Sequence, residues 1–196
     1  MSNILVFAGP NGSGKSTITS KIDIVGVYTN ADLIERELGC SSLAAAQNVE
    51  MTREILLSNH QDFTMETVLS TERYFRMMQR AKDAGYHVAC VYVLTCDPEI
   101  NVRRVCKRAE DGIQPMIDPN TVRKRYHRSL KMLSLLPSIC DELYVFDNSP
   151  ERGTGQPSLI IQVVNQVKEV YPNPIWPMER IEALLNGTYS DLFLNV

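Results

Sequence analysis

The chain lacks a cysteine pair at C-x-x-C spacing, a long apolar run and an excess of positive charge. Its five cysteines (Cys40, Cys90, Cys96, Cys106 and Cys140) are scattered and odd in number. That argues against a disulfide framework or a zinc site and for a reducing compartment. The apolar start ends at Gly9, and no later run approaches the ~18 residues of a membrane span. The expectation is a cytoplasmic protein with neither signal peptide nor membrane helix. The net charge of −3 gives no support for nonspecific binding to nucleic acid, which needs a basic face. His60, His87 and His127 show no metal-ligand spacing and read as structural or surface residues. No L-S-G-G-Q stretch of an ABC-type ATPase is present.

What the chain does have begins at its ninth residue. Residues 9 to 17 read GPNGSGKST and meet the nucleotide-binding pattern G-x-x-x-x-G-K-S/T at Gly9, Gly14, Lys15 and Ser16. The glycines let backbone N–H groups turn inward against phosphate oxygens. Lys15 is placed to reach the outer phosphates, and the Ser16 hydroxyl to ligate Mg²⁺. Pro10, Asn11, Gly12, Ser13 and Thr17 complete the cradle. An apolar run of strand length, Ile4 to Ala8, directly precedes it, and Ile18 to Ile22 can continue as the helix whose N-terminus favours anions.

The 196 residues suffice for one domain with a continuous core. Apolar runs alternate with helical patterns, so the fold expected is α/β, a P-loop NTPase-type parallel sheet flanked by helices. Strands are expected at Ile4–Ala8, Val25–Thr29, Asp62–Thr67, His87–Leu94 and Leu143–Asp147. Helices are expected at Leu33–Leu38, 42–58, Glu72–Ala84, Pro98–Ala109 and Pro119–Leu136. Asp97-Pro98 and Asp118-Pro119 each place a cap before a first-turn proline. The corner from 110 to 118 joins two helices as a mobile lid. Residues 1–150 form the expected kinase domain. Residues 151–196 are expected to be a C-terminal extension packed on it. Ser149–Pro157 is an exposed loop, Leu159–Tyr171 a hairpin around Asn165-Gln166 in preference to a helix, and Met178–Leu185 a short helix.

A phosphate cradle alone says only that a nucleotide binds. Asp32 follows the second strand, where carboxyl-side strand ends line the ligand crevice. It is either a general base for an acceptor hydroxyl or the cap of helix 33–38. Glu66 and Thr67 close the third strand. A carboxylate there is costly unless it meets a cation or hydroxyl, and the alternative is a surface residue. Arg104 and Arg108 share one face of their helix at i, i+4, and Arg123 and Arg125 flank the apolar stripe of the next. Brought together, they suit a migrating phosphoryl group. Otherwise they belong to a solvated basic face with Lys107, Lys124 and Arg128. Asp147 either holds Mg²⁺ through water or opens the turn Asp147-Asn148-Ser149 beside the adenine; the turn is favoured.

GPNGSGKST, NADLIERELG, FTMETVLS, the arginine-bearing helices ending VRKRYHRSL, and FDNS together resemble the zeta toxin family of P-loop kinases, over about residues 3 to 150. The resemblance implies transfer of phosphate from ATP or GTP to a sugar hydroxyl of UDP-N-acetylglucosamine or a similar acceptor. Asp32 becomes the general base, and Glu66 and Thr67 fall in the acceptor region. Arg108 and Arg125 become the transition-state arginines, with Arg104 and Arg123 as rivals. A separate antitoxin protein is the partner such a kinase would have. One departure stands out: shorter relatives carry Gly-Gly-His between the arginine helices, where this chain has Glu110-Asp111-Gly112-Ile113-Gln114. The other reading is a nucleotide-dependent module that grips a protein partner, with Trp176 as an exposed apolar anchor.

Overall fold

A computed structural model describes residues 1–150 and 156–189. The strands are β1 (Asn3–Ala8), β2 (Val27–Thr29), β3 (Phe63–Thr67), β4 (His87–Leu94), β5 (Glu142–Asp147), β6 (Ser158–Val164) and β7 (Val167–Val170). They form one seven-stranded sheet in the order β2-β3-β1-β4-β5-β6-β7. The first five are parallel, and β6 and β7 continue the sheet antiparallel. The C-terminal hairpin is thus an extension of the sheet itself. Its two-residue turn puts Asn165 and Gln166 at φ 49° and 68°, the left-handed pair that matches strand twist.

The helices are α1 (Lys15–Thr19), α2 (Ala31–Leu38), α3 (Ser42–Ser58), α4 (Glu72–Asp83), α5 (Pro98–Glu110), α6 (Pro119–Leu133) and α7 (Met178–Leu185), with a 3-10 turn at Leu136–Ser138. Among the described residues, no helix is long and apolar enough to cross a membrane. Alternation along β1 explains its unbroken apolar run. Ile4, Val6 and Ala8 join the large core, whereas Leu5 and Phe7 pack on the opposite face with Ile18, Val91 and Val93. A strand buried on both faces has no polar side to show. Val102, Val105 and Val122 form a separate small cluster between α5 and α6, so the two arginine helices carry their own core.

Three expectations need correction. The helix after the phosphate loop stops at Thr19 and does not run to Ile22. The second strand begins at Val27, not Val25. Thr64 intercepts Val25 on both sides: its Oγ1 accepts from the Val25 N–H at 2.8 Å and donates to the Val25 carbonyl at 2.7 Å. Gly26 follows at φ +58°, where a Cβ would meet the Asp62 carbonyl oxygen at 1.9 Å. The ladder therefore starts two residues later than expected, at Val27. Finally, Trp176 is fully buried against Tyr189, with ring centroids 5.2 Å apart, and cannot serve as an exposed anchor for a partner. The expected loop over 149–157 falls partly outside the described residues, as does the end of the 151–196 extension.

Candidate active site

The site lies at the carboxyl ends of β1, β2 and β3, where parallel strands hand their chains to loops. Gly9 leaves β1 at φ +138°, and a Cβ there would meet the Val93 carbonyl oxygen at 2.0 Å. Only glycine fits this corner. The cradle is braced from α5 and from the turn after β5. Asn101 is fully buried; its Nδ2 donates to the Asn11 carbonyl at 2.6 Å, and its Oδ1 accepts from the Thr95 hydroxyl. Asn148 Nδ2 donates to the Ser13 carbonyl at 2.7 Å. These bonds hold the carbonyls from outside.

Inside, the buried Lys15 Nζ donates to the carbonyls of Gly9 (2.8 Å) and Pro10 (3.2 Å). Burial pushes its ammonium below the ordinary range, the carboxylates of Glu66 and Asp32 offset part of that, and the Arg108 guanidinium adds to the fall. Charged groups from α2, β3 and α5 thus lie close enough to Lys15, the first residue of α1, to act on its charge. Ser13 Oγ is buried and makes no hydrogen bond within the protein, an orphan that a phosphate oxygen would satisfy. Ser16 and Thr17 are exposed at the start of α1. Among the described residues, no cluster of three or more metal-ligating side chains occurs. The Lys15 ammonium and the orphaned Ser13 hydroxyl are a donor set that fits phosphate oxygens.

Asp32 is not a helix cap. Asn30 takes that role, its Oδ1 accepting from the Asp32 N–H at 2.9 Å. Asp32 therefore sits in the first turn of α2 with its carboxylate exposed. Glu66 is half-buried. Its Oε2 accepts from the Tyr28 hydroxyl (2.9 Å) and from Asn30 Nδ2 (3.1 Å). The phenol is pushed up to about 12, chiefly by burial. Thr67 is buried; its Oγ1 accepts from the Leu69 N–H at 3.0 Å and so shapes the turn leaving β3.

The arginines divide. Arg125 Nη1 donates to Asn11 Oδ1 at 3.4 Å and so reaches the rim of the cradle, while Arg108 Nη1 donates to Gln114 Oε1 at 3.3 Å and lies near enough to Lys15 to act on its charge. Arg104 donates to the carbonyls of Pro150 (2.8 Å) and Gly12 (3.5 Å), tying the loop to the end of β5. Arg123 makes a two-pronged ion pair with Glu99 at 2.6 and 2.9 Å. It clamps α6 to α5 and is directed away from the loop. Asp147 is buried and accepts from the backbone and hydroxyl of Ser149, so it forms the turn. His87 bonds Glu142 at 3.0 Å, a structural role.

Arg53, absent from any expectation, underlies the rim. It is 1% exposed. Its Nε donates to Thr29 Oγ1, and its Nη2 to the carbonyls of Thr29 and Glu66, at 2.8, 2.8 and 3.0 Å. Burial draws the guanidinium down to about 10, opposed mainly by Tyr74, so it is charged at neutral pH. One planar fork thus fixes the spacing between the ends of β2 and β3, which carry Asp32 and Glu66. Its signal lay in the pattern: Ala45, Val49, Arg53, Leu56 and Leu57 form the buried stripe of α3, and a cation in such a stripe must have partners. Arg53→Met leaves these acceptors without a donor and is expected to cost about 2–4 kcal/mol in chemical denaturation. Arg53→Lys should recover only part, because an ammonium does not reproduce a planar fork.

Comparison with known proteins agrees with this architecture. A family model described as Zeta toxin matches residues 36–134, just over half the chain. That span holds Glu66, Thr67, Arg104, Arg108 and Arg125 but neither the phosphate loop nor Asp32. An uncharacterized protein of Haemophilus influenzae is 30% identical over 115 residues, 55% of this chain and 81% of that protein. Among solved structures, a chain of the AvrRxo1-ORF1:AvrRxo1-ORF2 complex crystallised with sulphate ions superposes with a TM-score of 0.69 at 16% identity over 94% of this chain. The same complex with ATP gives 0.70 at 15% identity. This chain spans 64% of the length of those chains. A chain of the PezAT toxin–antitoxin system of Streptococcus pneumoniae gives 0.56 at 18% identity, covering 76% of this chain and 68% of that one. At these identities the structures speak for the fold, and the family rests on the matched model: this chain belongs to the zeta toxin family of P-loop kinases.

Proposed function

We propose that the protein transfers the terminal phosphoryl group of ATP, or of GTP, to a hydroxyl of a small acceptor. A nucleotide sugar such as UDP-N-acetylglucosamine is the acceptor that the family favours. The observation that carries this reading is the convergence of Lys15, Asp32, Glu66 and Arg108 around a glycine cradle, with Asp32 released from capping by Asn30. A nucleotide-binding switch has no need of a carboxylate freed from capping at that place.

In this reading the backbone of Gly9 to Thr17 and Lys15 hold the phosphates. The Ser16 hydroxyl would hold a Mg²⁺ ion, which when bound would neutralise charge on the outer phosphates. Asp32 accepts the proton of the acceptor hydroxyl as its oxygen attacks the terminal phosphorus, and the bond to the bridging oxygen breaks to release the diphosphate. Arg108 and Arg125 neutralise charge on the migrating group, and Arg104 keeps the loop in place. Glu66 has one oxygen held by Tyr28 and Asn30, which orients the other towards an acceptor hydroxyl; Thr67 lines the same wall. Residues 1–150 supply all of these groups, with 151–196 as the supporting extension. We also place the protein in the cytoplasm and expect a separate antitoxin as partner; PezAT is a toxin–antitoxin system. The burial of Trp176 removes the feature that favoured a partner-gripping module.

The test is transfer from ATP labelled on its terminal phosphate into a metabolite extract and into UDP-N-acetylglucosamine. Wild type should yield a labelled small molecule in which phosphate is esterified to a hydroxyl. Label appearing only as inorganic phosphate in every mixture would refute the kinase reading.

A further inference from the structure

Between Glu110 and Asp118 the chain turns from α5 to α6, and only Gln114 and Ile117 are partly buried. Ile113 and Met116 stand 60% and 59% exposed, and Ile117 joins the small core between the helices. Gln114 instead reaches across the mouth of the site. Its Nε2 donates to Asp32 Oδ2 at 3.4 Å, and its Oε1 accepts from Arg108 Nη1 at 3.3 Å. One primary amide therefore joins the proposed base to the proposed phosphoryl-binding arginine.

The chemistry of that amide has a counterpart in the reaction. An acceptor hydroxyl donates to Asp32, as the amide N–H does. A phosphoryl oxygen accepts from Arg108, as the amide carbonyl does. Hydroxyl and phosphoryl together present the donor and acceptor that Gln114 presents alone. Both bonds lie at the long end of the hydrogen-bond range, so the grip is light and reversible. Its anchor is a short corner supported mainly by Ile117, while its neighbours face solvent.

The geometry points to Gln114 as a positioning residue that acts as an internal stand-in for the acceptor, holding Asp32 and Arg108 until a substrate hydroxyl displaces it. The inference rests on the kinase reading. Its consequence is protection of ATP from water. Hydrolysis requires water oxygen to attack the terminal phosphorus, its proton to pass to Asp32, and the bond to the bridging oxygen to break with ADP leaving. While the amide N–H occupies Asp32 Oδ2, that oxygen is a poor proton acceptor and Arg108 is turned aside from the phosphorus. An acceptor hydroxyl competes for the same two partners and opens the latch.

The test is release of inorganic phosphate from ATP with Mg²⁺ and no acceptor, with ATP affinity measured in parallel by calorimetry. Gln114→Ala should raise acceptor-independent hydrolysis about fivefold, the effect of removing one hydrogen-bond's worth of net restraint, with ATP affinity unchanged. Gln114→Asn keeps the amide but is one methylene too short to span Asp32 and Arg108, and should behave like the alanine variant. A merely structural role would lower the rate, and an asparagine would restore it. Hydrolysis that is unchanged or reduced in Gln114→Ala, or wild-type restraint in Gln114→Asn, overturns the latch while leaving the kinase reading intact. Failure of wild type to bind ATP overturns both.

Discussion

Asp32→Asn should lower phosphoryl transfer by roughly 10²–10⁴-fold, the range for losing a positioned general base, while ATP affinity stays within about threefold of wild type. The substitution keeps size but exchanges a charged, acceptor-only carboxylate for a neutral amide, which cannot take a proton and no longer attracts Lys15. The backbone of α2 should not notice it, because the cap is Asn30 and the bond to it comes from the residue's N–H, not its side chain. Asn30→Ala makes the informative contrast. It removes the cap and one of the two bonds to Glu66 Oε2, so it should cost about 1 kcal/mol of stability as well as activity. Steady-state transfer and calorimetric ATP binding on both variants separate chemistry from folding. A large fall in ATP affinity in Asp32→Asn would make this carboxylate part of the nucleotide site.

Lys15→Met should abolish nucleotide binding and transfer and yet leave the free protein more stable. In the free protein the ammonium is buried, with two loop carbonyls as its hydrogen-bond partners. Desolvation outweighs the nearby carboxylates and lowers its pKa from the ordinary 10.5. Unlike the Arg53 fork, which makes three bonds between two strands, the Lys15 ammonium has only two loop carbonyls to offset its desolvation, so an apolar chain of similar length relieves more than it loses. The expected rise in melting temperature is ~2–4 °C, equivalent to about 1 kcal/mol for a chain of this size. The sign of the pH dependence follows from the same shift. The unfolded chain binds the lysine proton more tightly than the folded one, so the folded state gains stability as pH climbs from the depressed value towards 10.5. Nucleotide reverses the balance, because phosphates give the cation partners. ATP at about 100 times its Kd should stabilise wild type by about 2.7 kcal/mol and Lys15→Met not at all. Thermal melts with and without ATP read both effects.

The parts of the site that could be read from the chain are those fixed by local chemistry. The glycine cradle needs positive φ at Gly9, Gly12 and Gly14, and no other residue type supplies it cheaply. The Asp-Pro starts of α5 and α6 are also local, and both aspartates cap as expected. What escaped the sequence depends on contacts between distant segments. Thr64 shortens β2 because its hydroxyl lies beside Val25 in the folded sheet. Asn30 displaces Asp32 as cap by two residues, within the uncertainty of any helix boundary. Arg53 matters only because α3 packs across the ends of β2 and β3. Gln114 looked like part of a polar corner, and its partners are 82 and 6 residues away in sequence. The role of β6 and β7 as sheet strands was hidden for a related reason: antiparallel pairing with β5 leaves no mark on the hairpin's own alternation.

The arginines show how far spacing goes. It placed Arg104 and Arg108 on one face of α5, and the structure sends one to the loop carbonyls and the other to the mouth of the site. On α6 it left Arg123 and Arg125 as equals. Glu99, a first-turn residue of α5, decides between them by pairing with Arg123, which leaves Arg125 nearer the cradle.

The most direct measurement is a crystal structure of the protein with Mg²⁺ and a non-hydrolysable ATP analogue. It should show the triphosphate wrapped by residues 9 to 17, Lys15 turned from the carbonyls of Gly9 and Pro10 to the outer phosphates, and the Asp32 carboxylate facing the terminal phosphorus. A triphosphate bound elsewhere, or a terminal phosphorus on the far side of the loop from Asp32, would contradict the account.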